Sequence, residues 1–125
     1  MERRLLQFAI LLGGCVPVFA GAAGAITGAR AIGAWPGISA DSHVRYLSGL
    51  LLAIGLIYWA CVPGIERRGS IVRTLTLVVF TGGLARLGGL VLVGDPGPIR
   101  FALVMELAVA PLLCLWQARV AKRAR

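Results

Sequence analysis

The chain has 125 residues, of which 58% are hydrophobic and 14% charged, and its mean hydropathy is +0.87. A soluble domain carries roughly a quarter charged residues, so this composition excludes an ordinary water-soluble fold and points to lipid as the solvent. The net charge of +8 could suit nucleic acid, but the basic residues gather at the ends of apolar runs and form no continuous basic stripe, which argues against a nucleic-acid partner.

Four apolar stretches, residues 5–29, 46–62, 71–93 and 101–118, hold most of the hydrophobic content. A helix needs about 20 residues to cross the hydrocarbon core, with a usable range of about 17 to 25. All four qualify. Their connections are short, which makes consecutive helices antiparallel neighbours in one domain spanning residues 1–125.

The first stretch follows Arg3 and Arg4. A basic start, an apolar run and Ala20-Gly21-Ala22 outline a cleavable leader. The run continues to Ala29, longer than a leader core, so a retained helix is expected. Gly14, Pro17, Gly21, Gly24 and Gly28 are spaced three, four, three and four, with Gln7 and Ile10 extending the row backwards. Small residues at that spacing let another helix approach closely, so the row is expected to face protein. Pro17 removes a backbone donor and is expected to kink the helix.

Trp35-Pro36-Gly37 reads as a turn with an interfacial aromatic. The most polar stretch follows: Asp41-Ser42-His43-Val44-Arg45-Tyr46-Leu47-Ser48-Gly49. Asp41 or Ser42 can cap the second helix, and Asp41 and Arg45, four apart, can pair on one face. Arg45, Ser48, Gly49 and Leu52 then carry a polar face into the second span. That span ends at Tyr58-Trp59 and Pro63-Gly64, before the hairpin Glu66-Arg67-Arg68-Gly69-Ser70.

The third span has a small-residue row, Thr81, Ala85 and Gly89, beside Gly82 and Gly83, with Arg86 next to it and expected to be buried. Gly94-Asp95-Pro96-Gly97-Pro98 reads as a turn. The fourth span carries Glu106, Ala110, Leu113 and Gln117 on one face. Pro111 is expected to bend it, and Trp116 to mark an interface.

Arg86 and Glu106 stand where hydrocarbon is expected, and an ionisable residue there is a candidate functional site. At 1.5 Å per residue Arg86, near the C-terminal end of the third span, and Glu106, near the N-terminal end of the fourth, both lie about 10 Å below the outer edge of the membrane. Opposite charges at matched depth on antiparallel neighbours are expected to pair. Arg45 arrives at the rim above them, with Asp41 and His43 higher still. Asp41, His43, Arg45, Ser48, Arg86 and Glu106 therefore make up the candidate polar site. A purely structural network is one reading. A pocket for a small anionic or amphipathic ligand, with Arg45 as a planar bidentate donor, is a second. Proton-coupled transport through Glu106 is a third.

Catalysis lacks support. His43 is the only histidine, and beside a helix start it fits a cap or a surface group. Cys15, Cys61 and Cys114 lack the short spacings of metal or redox sites and read as small apolar residues. No metal, cofactor or catalytic group is expected.

The Asp41–Gly49 motif, the segment Gly82-Gly83-Leu84-Ala85-Arg86-Leu87 and Glu106 together resemble a family of small bacterial four-span membrane proteins catalogued only as a domain of unknown function. The resemblance covers essentially the whole chain. It implies a four-helix membrane fold with these polar residues as its signature, and supplies no activity, substrate or cofactor. Small multidrug exporters are similar in length but carry their essential carboxylate in the first helix, where this chain has only Gln7. A four-span family linked to quinone and thiosulfate oxidation is similar in layout, but no motif here ties the chain to it.

The expectation is an all-α integral membrane protein, an up-down-up-down bundle of four transmembrane helices in a bacterial cytoplasmic membrane. With both termini inside, Arg3, Arg4, Arg67, Arg68, Arg73, Arg119, Lys122, Arg123 and Arg125 lie on the cytoplasmic side, and Arg30, Arg45 and Arg100 outside. That is the asymmetry the positive-inside rule describes. The expected partners are membrane lipids and a larger membrane complex or further copies of the chain. The expected role is non-enzymatic: an accessory subunit, or a binder of a lipid-like or anionic ligand, with a small oligomeric transporter as the alternative.

Overall fold

A computed structural model describes residues 1–32, 37–94 and 99–124. The expected turns at Trp35-Pro36 and at residues 95–98, and the basic Arg125, lie outside the described residues. The fold is all-α, in the four-helix bundle class. Helices α1 (Glu2–Thr27), α2 (Ile38–Cys61) and α3 (Gly69–Val93) are followed by a fourth span, Ile99–Arg123. That last span is built from α4 (Ile99–Val104), a π-helical segment (Met105–Val109) and α5 (Ala110–Arg123). Among the described residues, four helices are thus long and apolar enough to cross a membrane. Two 3₁₀ turns, Gly28–Ile32 and Ile65–Arg67, complete the described elements.

The contacts divide the chain into two compact units. The first comprises Met1–Ile10 and Cys61–Arg125. Its tightest packing surrounds the 3₁₀ turn at Ile65, where Leu6, Ile10, Cys61, Ile65, Val72 and Val120 are buried. Two glutamines hold that turn. Gln7 Nε2 donates to the Val62 carbonyl, and Gln117 Nε2 to the Ile65 carbonyl, each at 2.8 Å. Both carbonyls lie where the α-helical ladder is interrupted; that of Ile65 also accepts the Arg68 N–H at 3.3 Å, and Gln117 adds a second, shorter bond. Gln117 is only 1% exposed, so its amide fills the core and supplies a hydrogen bond there together.

Ion pairs close the same end. Glu2 receives Arg119 Nε at 3.1 Å and also pairs with Arg123, while Arg3 Nε lies 3.0 Å from Glu66. Away from this end the unit thins to α3 against the fourth span. Leu77, Val78, Leu84, Val91, Leu92, Phe101, Val104, Leu112 and Leu115 are all exposed. Apolar surface that extensive and continuous along spanning-length helices is what hydrocarbon covers.

The second unit, Leu11–Ala60, packs α1 antiparallel to α2. The glycine row of α1 faces protein, as its spacing predicts. A Cβ on Gly14 would collide with the Trp59 ring, one on Gly21 with the backbone of Ser48 and Leu52, and one on Gly24 with the Ser48 side chain. From α2, Gly55 reciprocates, lying against Val18 and Pro17. Bare backbone on both helices is what lets their axes come this close. Pro17 sits inside α1, which is helical on both sides of it. Trp59 is not simply an interfacial anchor: its Nε1 donates to the Leu11 carbonyl at 3.0 Å.

Candidate functional site

The six residues singled out by the sequence fall into two sets, one in each unit. In the second unit, Asp41 and Arg45 pair as predicted, Nε to Oδ2 at 2.8 Å. Asp41 is not the cap of its own helix, because α2 already begins at Ile38. Its Oδ1 accepts the Ala29 N–H at 2.8 Å. Arg45 Nη1 in turn donates to the carbonyls of Ile26 at 2.7 Å and Ala25 at 3.1 Å. The last carbonyls of a helix have no partner of their own, and one arginine of α2 satisfies two of those in α1.

Gly28, with φ +62, turns the chain out of α1 at the left-handed position where glycine is favoured. A Cβ there would also strike the Asp41 carboxylate and approach the Arg45 guanidinium. Ser48, one helical turn on from Arg45, is the residue that meets Gly24. Asp41, Arg45 and Ser48 therefore form a continuous edge of α2 that fits the end of α1. The clasp was only half legible: the pairing followed from spacing, but no sequence signal named the Ala25 and Ile26 carbonyls. His43 is exposed, and its Nδ1 lies 2.8 Å from the Ser39 carbonyl one turn back.

In the first unit, Arg86 and Glu106 form the predicted pair, and it is bidentate. Nε donates to Oε2 at 3.1 Å and Nη2 to Oε1 at 3.2 Å. A two-point contact fixes the guanidinium plane as well as the distance. Gly83 makes the approach possible, since a Cβ there would strike Glu106 and Leu107. The expectation that Arg86 is buried needs correction: its side chain is 41% exposed, against 17% for Glu106. Of the neighbouring small residues only Gly83 packs inward. Thr81, Gly82, Ala85 and Gly89 are exposed, and nothing lies within 4 Å of a Cβ built on Gly82 or Gly89. Two helices alone cannot surround a side chain as long as arginine's. Gly82 and Gly89, four residues before Arg86 and three after it, leave bare backbone along its flank.

Pro111 does not simply bend the fourth span. The turn ahead of it is π-helical, with the Ala110 N–H donated to the Met105 carbonyl five residues back. Pro111 has no N–H, and in α geometry its ring would crowd the Leu107 carbonyl. Glu106 lies within this widened turn, a feature found often at functional sites.

The three cysteines are free thiols, Cys61 buried and Cys15 and Cys114 half-buried.

Four apolar spans, a lipid-type exposed surface and a guanidinium–carboxylate pair on facing helices define a small multi-pass α-helical membrane protein. The chain belongs to the family described as Domain of unknown function (DUF4345), which matches residues 5–117. No curated protein and no solved structure matches it.

Proposed function

We propose that the protein binds an anionic amphiphile, its headgroup seated on Arg86, and has no catalytic role. The observation that carries this reading is the division of labour within one guanidinium. Nε and Nη2 hold Glu106, while 41% of the side chain remains exposed beside open Gly82 and Gly89. Among the described residues no acceptor is bonded to Nη1, and in the hydrocarbon setting we propose a phosphate or carboxylate oxygen would be a strongly favoured acceptor there. Lipid tails would lie along the exposed apolar flank of α3.

Arg45, the ligand-binding arginine of the sequence reading, suits that role less well, because its Nε and Nη1 already hold Asp41 and α1. A proton-coupled transporter is also less well supported, since both carboxylate oxygens of Glu106 are already engaged by Arg86.

In the setting we propose, the pair lies within a bacterial cytoplasmic membrane, in its outer half, with both termini in the cytoplasm. The basic residues at the terminal end of the first unit support this orientation. The role would be that of a lipid-binding or accessory subunit.

The test is native mass spectrometry of the protein extracted with its own lipids, beside the variant Arg86→Lys. An ammonium keeps the charge near Glu106 but cannot serve Glu106 and a ligand with one planar fork. Retained anionic lipid or carboxylate that falls sharply in Arg86→Lys is expected. Equal retention by the two proteins, or none by either, overturns the proposal.

A further inference from the structure

We infer that Pro111 is a positioning residue for Glu106, acting through the π turn, so that one helix can satisfy two differently oriented faces. The fourth span is anchored at both ends within the first unit. Towards its C-terminus, Gln117 and Val120 are buried, and Gln117 is bonded to Ile65. Arg119 and Arg123 are held by Glu2. Towards its N-terminus, Leu103 is buried, Glu106 and Leu107 lie against Gly83, and Glu106 holds Arg86.

A π turn accommodates one more residue than an α turn, which offsets the two halves by about one residue, or roughly 100° of helix rotation. Pure α geometry would require one anchor to rotate off its partners by that amount. The C-terminal half has the deeper burial and more bonds, so the half carrying Glu106 would be the one to turn.

Pro111 is what makes the π turn the favourable solution. It cannot donate to Leu107 in α geometry, and its ring clashes with that carbonyl. Local π adjustments are how spanning helices accommodate proline. The wide turn therefore holds Glu106 at the angle Arg86 requires. The inference rests on helix geometry and the ion pair, and it stands whether or not a ligand binds there.

The experiment is a double-mutant cycle on Arg86 and Glu106, using Arg86→Met and Glu106→Gln, measured by reversible unfolding of the full chain in detergent. It is run in three backgrounds: native, Pro111→Ala, and Pro111→Ala with Ala108 deleted. The coupling is the ratio by which the double variant departs from the product of the single ones. In the native background it is expected to be well above one, and in Pro111→Ala close to one. Deletion of Ala108 removes the surplus residue, allows an uninterrupted α-helix with both faces in register, and is expected to restore the coupling. The effect of Gln117→Leu, which reports the C-terminal anchor, should be the same in all three.

Coupling that persists in Pro111→Ala overturns the inference. Coupling that is not restored by the deletion, in a chain that still shows the Gln117→Leu effect, also overturns it. If Pro111→Ala alone fails to fold, a folded and coupled deletion variant supports the inference, and failure of both overturns it. Retention of amphiphile by the same variants is read separately. Intact coupling without binding would count against the proposed function and leave the role of Pro111 in place.

Discussion

Arg86 grips both carboxylate oxygens of Glu106, at 3.1 and 3.2 Å, across the α3–fourth span contact that Gly83 opens. The pair neutralises two charges on apolar helices, yet the arginine stays 41% exposed. Neutralisation and exposure make different demands on substitution.

Removal of one partner strands the other. Arg86→Ala should destabilise the chain by about 3 kcal/mol or more, whereas Arg86→Met with Glu106→Leu should cost far less, because no lone charge remains. Unfolding followed by tryptophan fluorescence in detergent measures both. A double variant as unstable as Arg86→Ala would show that the pair contributes more than charge neutralisation.

The glycines sort into two kinds. Gly24→Leu should destabilise by about 1–3 kcal/mol or more, since the new side chain meets Ser48 at once. Gly88→Leu, with nothing within 4 Å of its Cβ, should leave the thermal midpoint close to the native value. Equal midpoints for the two variants would mean that α1 and α2 do not pack as described.

The clasp at the end of α1 predicts a local effect. Asp41→Ala removes the acceptor of the Ala29 N–H and a partner of Arg45, so amide exchange at Ala29 should accelerate at least tenfold. Arg45→Lys should act in the same direction but less, because one ammonium cannot reach Asp41 and two carbonyls together. Unchanged Ala29 exchange in Asp41→Ala would remove the clasp.

Gln117→Leu keeps the volume of the side chain and deletes its bond to the Ile65 carbonyl. The Ile65 carbonyl then keeps only the Arg68 N–H, at 3.3 Å, and loss of the shorter bond should cost about 0.5–1.5 kcal/mol. A neutral result would mean that the Arg68 N–H alone suffices for that carbonyl.

Much of the fold was legible in the chain because hydrocarbon imposes a strict rule: about 20 apolar residues, with all backbone groups paired inside a helix. The number of spans follows from that, and the three-four spacing of Gly14 to Gly28 sufficed to say which face of α1 meets protein. The pairing of Arg86 with Glu106 was legible for the same reason, since depth along a spanning helix is set by residue count alone.

Other features depended on tertiary geometry. The spacing of Asp41 and Arg45 shows that they can pair, but the backbone groups they reach, the Ala29 N–H and the Ala25 and Ile26 carbonyls, belong to a distant segment, and a helix end reveals its needs only where it stops. The exposure of Arg86 depended on which neighbour packs, and the row Thr81, Ala85 and Gly89 turned outward while Gly83 alone turned in. Periodicity gives an angle around an axis, but not which angle is occupied. The π turn was hidden in the same way. Pro111 announces a disturbance, but whether a helix answers with a bend or with a wider turn is decided by the two faces it must satisfy at once.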